Sequence, residues 1–174
     1  MLDNKLGLTT SVDLAREEER ISKQKAIRLF ENGLLDKLPA GKFSTLQAIH
    51  KYLFEHIYSF AGKIRTVNIA NGSFRFAPLM YLQAALENID KMPQSSFDEI
   101  VEKYVEMNIA HPFREGNGRS TRIWLDHIFK NEIGKVIDWS KVVNNHEIYM
   151  KGIDHSYYYE GYTMFKADDL DKDL

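Results

Sequence analysis

The chain has 174 residues, of which 44% are hydrophobic, and a formal net charge of −2, so we expect one domain with its own core and not a protein that coats nucleic acid. It contains no cysteine, which excludes disulfides and thiolate metal sites and fits the reducing cytoplasm. The polar, charged N-terminus and the lack of a long apolar run predict neither a signal peptide nor a membrane span, and no membrane partner.

The N-terminal segment predicts one long helix. Ser11 is placed to cap it, and its apolar positions continue to a stop at Asn32-Gly33. The charged run at 16–20 is interpreted as a solvated face of this helix.

A second helix is predicted from Ser44 to the segment 60–62, because apolar residues recur there at helical spacing. His50 and His56 lie on it, six residues apart, and therefore do not share a face. This spacing argues against a metal site, and we interpret both as histidines of the surface or of the core edge.

The pattern then changes to short alternating segments at 64–69 and 74–77, which flank the Asn-Gly turn of residues 70–73. This predicts a β-hairpin over 65–77. Because an isolated two-stranded hairpin is marginal in water, it either packs on helices or serves as a mobile flap.

Two further helices are predicted before the most unusual stretch of the chain. Pro78 suits the start of the first, which ends at Met92-Pro93. Ser96 and Glu99 form a capping-box pattern at the start of the second, which is apolar on more than one side and ends at Ala110. We expect this second helix to be central.

The stretch His111–Arg122 combines an imidazole, a carboxylate, an amide, two glycines and three guanidiniums. Pro112 favours extended backbone at His111. Gly116 and Gly118 flank Asn117, so the backbone there can adopt positive φ and direct N–H groups at an anion. A loop of this kind predicts an anion site.

A helix start follows the loop, with Arg119 and Arg122 three residues apart on one face, and the helix is predicted to end at Gly134. Two guanidiniums beside such a loop indicate a polyphosphate ligand. Glu115 is the available carboxylate for Mg²⁺, and His111 can serve as a general base near neutral pH.

The sequence His-Pro-Phe-Arg-Glu-Gly-Asn-Gly-Arg-Ser-Thr-Arg at 111–122 resembles the signature of the Fic family, adenylyltransferases that move AMP from ATP onto a hydroxyl side chain of a target protein. The resemblance implies an all-α, Fic-type helical bundle with a short β-hairpin flap beside the active site, as a single domain over 1–174. It implies ATP and Mg²⁺ as cofactors, and a bacterial, cytoplasmic enzyme.

The resemblance also implies a role for each motif residue. His111 deprotonates the target hydroxyl, Glu115 holds Mg²⁺, and Asn117 steadies the α-phosphate. Doc-type kinases of the same fold carry lysine at the position of Gly118, so the glycine here favours AMP transfer. The remaining nucleotide contacts would come from the backbone of Gly116 and Gly118, from Arg119 at the β-phosphate and from Arg122 at the γ-phosphate.

In Fic proteins a hairpin at this place in the chain docks an extended segment of the target by strand addition. The resemblance implies the same for this chain, whereas the alternative is a purely structural hairpin. The target would be a protein, such as a type II topoisomerase or the enzyme itself. A second copy of the chain, in a homo-oligomer, is a further possible partner. The predicted docking residues are Gly72, Ser73, Phe74, Arg75 and Phe76.

A last helix is predicted over 147–162, with Ser156 and Glu160 on one face. The string at 156–161 resembles the inhibitory motif of some Fic proteins, in which the glutamate pairs with the second motif arginine, here Arg122. Two functions are alternatives to an autoinhibited adenylyltransferase. One is a hydrolase that removes AMP with the help of Glu160, and the other is an ATP-binding interaction module without turnover.

The short connection before the last helix predicts a tight crossing or a chain discontinuity near Val143. Residues 167–174 are expected to form a frayed acidic tail.

Overall fold

The structure is a computed structural model that describes residues 1–137 and the backbone of 164–166. The described part is mainly helical and contains two small antiparallel sheets. No helix in it is long and apolar enough to span a bilayer. The helices are α1 (Ser11–Glu31), α2 (Phe43–Phe54), α3 (Leu79–Lys91), α4 (Phe97–Ala110) and α5 (Asn117–Ile133), with a short 3₁₀ turn at Leu35–Lys37.

The N-terminal cap of α1 is Thr10, not Ser11 as predicted. The Thr10 hydroxyl accepts a hydrogen bond from the Asp13 N–H at 3.1 Å, so Ser11 is already the first helical residue. The predicted end of the helix is confirmed, since Asn32 is the C-cap and Gly33 follows with φ +64°.

Helix α2 ends at Phe54, earlier than predicted, because the chain turns back on the helix there. Gly62 adopts φ +75° and comes close to Lys51, and its N–H donates to Nδ1 of His50 at 2.8 Å. Ile57 and Tyr58 are still buried, so the apolar spacing continues beyond the helix in a tight turn.

Helix α4 is the central helix, as predicted. Its capping box is formed by Ser96 and Glu99, and it packs against α3 on one side and α5 on the other. Trp124 of α5 is fully buried and donates to the Lys42 carbonyl at the start of α2. The loop at 111–116 therefore joins two helices anchored in the core.

The hairpin is present but shorter than predicted. Strands β1 (Ala70–Asn71) and β2 (Phe74–Arg75) pair antiparallel, with Ala70 opposite Arg75. Residues 64–69 are not a strand, because the side chain of Arg65 and its backbone N–H bond to the end of α4 and its loop instead of to a strand.

After α5, which ends at Gly134 as predicted, strand β3 (Lys135–Ile137) pairs antiparallel with β4 (Met164–Lys166). The N–H of Ile137 donates to the carboxylate of Asp126, which ties β3 to α5. The predicted helix over 147–162, the crossing near Val143 and the acidic tail at 167–174 lie outside the described residues.

Candidate active site

The loop between α4 and α5 is held by its own side chains. Asn117 accepts a hydrogen bond from the Phe113 N–H at 2.8 Å and donates its amide to the Phe113 carbonyl at 2.7 Å. Phe113 is fully buried, and Asn117 is 4% exposed. This pair of hydrogen bonds closes the loop into a rigid turn, so the loop geometry is preorganised before any ligand binds.

Gly116 is the glycine of the motif that needs its special backbone. It caps α5 with φ +77°, and a Cβ there would lie 2.4 Å from Cε2 of Phe54. Gly118 differs, because it belongs to the helix and a Cβ on it would meet no atom within 4 Å. The predicted positive φ thus holds for Gly116 and not for Gly118, whose surface is open to a ligand.

His50 is buried and supports this loop, which corrects its interpretation as a histidine of the surface or core edge. Its ring stacks on Phe113 with the centroids 3.8 Å apart. Because Nδ1 accepts from the Gly62 N–H, the proton is on Nε2, which donates to the Glu115 carbonyl at 2.8 Å. Burial lowers the pKa of His50 to about 4, so the ring stays neutral and keeps both bonds.

His111 caps the C-terminus of α4 in the left-handed region, with φ 49° and ψ 64°. The expected extended backbone was wrong, because its N–H closes a helical bond to the Met107 carbonyl before the chain turns away. Its ring stacks on Phe76 of the hairpin, with centroids 3.7 Å apart. The flap therefore lies directly against the predicted base.

The protonation state of His111 suits a base. Nδ1 lies 3.3 Å from the Asn108 carbonyl, an acceptor, so the neutral ring carries its proton on Nδ1 and its lone pair on Nε2. Burial, with the charge of Arg65 adding to it, lowers the pKa of His111 to about 4. At neutral pH the imidazole is therefore unprotonated, which is the state that a general base requires.

Arg119 contacts α1. One terminal nitrogen donates to the hydroxyl of Ser22 at 2.9 Å, and the other forms an ion pair with Glu18, which also accepts a hydrogen bond from Tyr58. The guanidinium lies over the ring of Phe54 at 5.0 Å. Glu18 is 7% exposed, so it does not belong to the solvated face predicted for the run 16–20.

One face of the motif remains open at the protein surface, where Glu115, Gly118 and Arg122 are exposed and Arg119 is partly exposed. The Glu115 carboxylate accepts from the Gly116 N–H at 2.9 Å. Within 1–137 no three acidic or histidine side chains cluster to hold a metal alone. A single exposed carboxylate fits Mg²⁺ that takes its other ligands from phosphate oxygens and water.

The structure thus brings together His111, the loop and helix start of 115–122, and the hairpin. Phe76 is buried against His111 and Phe74 packs edge-on against Phe76 at 5.3 Å, whereas Gly72, Ser73 and Arg75 are exposed. The predicted inhibitory residues Ser156 and Glu160 lie outside the described residues.

Three supporting residues escaped the sequence interpretation, namely His50, Glu18 and Arg65. His50 is four residues from both Leu46 and Phe54, so its helical spacing places it on the buried face. Glu18 likewise lies four residues after Leu14 in α1. No local signal distinguishes Arg65, because its partners are carbonyls that only the folded chain brings together.

The profile of the Fic/DOC family matches residues 42–129, which include the loop and helices α2 to α4 but not α1. The chain is 34% identical over 152 residues to the protein adenylyltransferase VbhT of Bartonella schoenbuchensis, an alignment that covers 80% of this chain and 30% of that protein. It is 26% identical over 153 residues to the probable protein adenylyltransferase Fic of Salmonella typhimurium, covering 82% of this chain and 74% of that one. The chain therefore spans about a third of the first relative's length.

A solved structure has the same fold. It is the N-terminal Fic domain of a VirB-translocated Bep effector protein from Bartonella quintana with bound ADP, and it superposes with a TM-score of 0.74 at 19% identity, covering 99% of this chain and 94% of that one. At this identity the likeness concerns the fold alone. The profile match, the relatives and this helical architecture agree, and the chain belongs to the Fic/DOC family.

Proposed function

We propose that this protein is a protein adenylyltransferase that moves AMP from MgATP to a hydroxyl side chain of a target protein. The observation that carries the proposal is a neutral imidazole at His111, placed at the end of α4 against the hairpin and close in sequence to the basic start of α5, which is exposed at Gly118 and Arg122. The relatives that are named protein adenylyltransferases, and the neighbour with bound ADP, support it.

In the proposed reaction, the lone pair of His111 Nε2 removes the proton of the target hydroxyl. The oxygen attacks the α-phosphorus, the bond from this phosphorus to the oxygen bridging to the β-phosphorus breaks, and pyrophosphate leaves. The proton remains on His111 until it passes to solvent. The product is a phosphodiester between AMP and the target.

The motif residues would bind the nucleotide through opposite charge and backbone donors. Gly116 and Gly118 offer backbone at the start of α5, where the helix dipole favours phosphate. The amide nitrogen of Asn117 carries two hydrogens, one of which bonds the Phe113 carbonyl, and we assign the other to the α-phosphate. Arg119 and Arg122 would bind the β- and γ-phosphates.

Glu115 would hold Mg²⁺ together with phosphate oxygens. When bound, this cation neutralises the negative charge that develops on the phosphates. The preorganised loop contributes by holding its donors in place without reorganisation during the reaction.

We further propose that Glu160 inhibits the enzyme by pairing with Arg122, on the basis of the sequence pattern at 156–161. A carboxylate held by this guanidinium would take the place and the charge that the γ-phosphate needs. The hairpin residues 72–76 would dock an extended segment of the target protein through backbone pairing.

The test uses a Glu160→Gly variant, Mg²⁺, and ATP labelled at either the α- or the γ-phosphate, with mass spectrometry of a lysate to find the modified protein. Label from α-labelled ATP should appear on the enzyme or a lysate protein, and adding His111→Ala should abolish it. Transfer of the γ-label would indicate phosphorylation instead, and α-labelling that survives His111→Ala would remove the proposed base.

A further inference from the structure

One buried arginine connects the end of α4 at His111 with both ends of the hairpin segment. The Arg65 side chain donates from Nε to the His111 carbonyl at 2.8 Å and from Nη2 to the carbonyls of Ala110 and Ala77, at 3.2 and 2.5 Å. Nη1 donates to the Val67 carbonyl at 2.7 Å. Its guanidinium is thus satisfied by carbonyl oxygens from the end of α4 and from both ends of the hairpin segment.

The backbone strengthens the same connection. The Arg65 N–H donates to the Pro112 carbonyl at 2.8 Å, and the Ala77 N–H donates to the Ile109 carbonyl at 2.9 Å. The chain on each side of the hairpin is therefore bonded to the chain on each side of His111. A movement of the chain at either end of the hairpin would therefore displace His111.

The backbone of His111 needs such support. It is the one described residue other than glycine with positive φ, a conformation that is strained for a residue with a Cβ. The last carbonyls of a helix also lack helical partners. The Arg65 guanidinium supplies donors to the carbonyls of Ala110 and His111, and its positive charge suits a helix C-terminus.

We propose that Arg65 is the positioning residue for His111: its guanidinium holds the backbone of His111 in the left-handed conformation, and thereby places the imidazole, and it fixes the hairpin to this residue. This inference rests on the proposed function, because it gives the imidazole the role of a base. Arg65 is 3% exposed and bonded to carbonyls, so it acts through His111 and does not touch the nucleotide.

Arg65 also contributes to the charge state of the base. Burial is the main cause that lowers the pKa of His111, and the neighbouring guanidinium lowers it further. The Asn108 carbonyl opposes both, and Phe76 covers the ring with an uncharged face. Geometry and charge can be separated by substitution, since lysine keeps the charge but not the forked donors, and glutamine keeps neither.

The experiment compares Arg65→Lys and Arg65→Gln with Arg16→Gln, an exposed arginine of α1 that pairs with Asp13. The rate of AMP transfer from α-labelled ATP is measured in the Glu160→Gly background. The imidazole of His111 is titrated by NMR in protein labelled with ¹⁵N-histidine, and the ring signals of His50 and His127 report whether the bundle stays folded.

We expect Arg65→Lys and Arg65→Gln to lower the transfer rate about 100-fold at saturating ATP, with the affinity for ATP unchanged, because the base is misplaced. We expect the pKa of His111 to rise in Arg65→Gln, to stay near the wild-type value in Arg65→Lys and to be unaffected in Arg16→Gln. Wild-type transfer rates in both Arg65 variants, or an unshifted His111 titration in Arg65→Gln, would overturn the proposal.

The titration separates this inference from the proposed function. If the wild type and Glu160→Gly transfer no AMP, the proposed function fails, while the NMR comparison still decides whether Arg65 controls the ring. If AMP transfer occurs but the titration of the His111 ring signals is the same in all variants, the proposed function is supported and the proposed role of Arg65 is refuted.

Discussion

Arg119 of α5 and Glu18 of α1 form an ion pair across the bundle, and Ser22 binds the second terminal nitrogen of the same guanidinium. Both terminal nitrogens of Arg119, which a polyphosphate would use, are therefore bonded to side chains of α1. Glu18 is held in turn by the hydroxyl of Tyr58, so the pair belongs to a network in which the carboxylate is buried and the guanidinium is partly exposed. It places a carboxylate beside the position proposed for the β-phosphate.

The first prediction concerns this carboxylate. Glu18→Gln should strengthen the binding of ADP and ATP roughly three- to tenfold, because the carboxylate competes for Arg119 and repels phosphate. Binding of AMP, which has no β-phosphate, should not change. Calorimetric titration with the three nucleotides measures this, with Glu17→Gln as the matched control on the same helix. Weaker binding of ADP would show instead that Glu18 orients the guanidinium for the ligand.

The second prediction concerns His50. His50→Ala should lower the free energy of unfolding by roughly 2–4 kcal/mol, because it leaves the Gly62 N–H and the Glu115 carbonyl without their partner and opens a cavity beside Phe113. Urea unfolding measures the change. His56→Ala, at an exposed histidine of the following turn, is the control, and equal stability of the two variants would refute the supporting role.

The third prediction separates backbone strain from steric exclusion at two glycines. Gly116→Ala should cost roughly 2–5 kcal/mol, because φ is positive and the new Cβ would collide with Phe54. Gly134→Ala has a similar φ with open space around it and should cost only about 1–2 kcal/mol. Thermal unfolding of both variants provides the comparison, and equal costs would mean that the contact with Phe54 relaxes freely.

The fourth prediction is a loss of stability in mild acid. Burial lowers the pKa of His50 and His111 to about 4 and also lowers that of His127. Below pH ~6.5 the unfolded chain therefore binds protons that the folded protein excludes, so stability is full above this pH and falls as the pH drops towards 4. His50 and His111 should each contribute about 2 kcal/mol of loss at pH 5, and the lowered pKa of His127 should add to the loss in the same direction.

His127→Phe tests the contribution of one group, because phenylalanine fills a similar volume without titrating. The Leu35 carbonyl and Asp36 oppose the downward shift of the His127 pKa, whereas burial and Lys130 favour it. Urea unfolding at pH 7.5 and pH 5 should show a smaller difference in the variant than in the wild type. An unchanged difference would exclude His127 as a source of the acid sensitivity.

The sequence alone was sufficient to predict the order of the helices within 1–137 and to identify the motif. Apolar spacing, the capping box at Ser96 and the glycine stops at Gly33 and Gly134 are local signals, and they placed the helices within a few residues. The motif at 111–122 pointed to the family because its chemistry is contiguous in the chain. The same local rules failed at the end of α2 and along 64–69, where contacts with distant segments replace the expected hydrogen bonds.

The residues that support the motif could be identified only from the tertiary structure. His50, Arg65 and Glu18 are far from the motif in sequence, and their partners are backbone carbonyls, an amide N–H and a guanidinium that come together only when the bundle packs. Periodicity indicates which face of a helix is buried, but it does not indicate which polar group of a distant segment packs against that face. A sequence can therefore display the residues that perform the chemistry, whereas the groups that orient them are defined by long-range contacts.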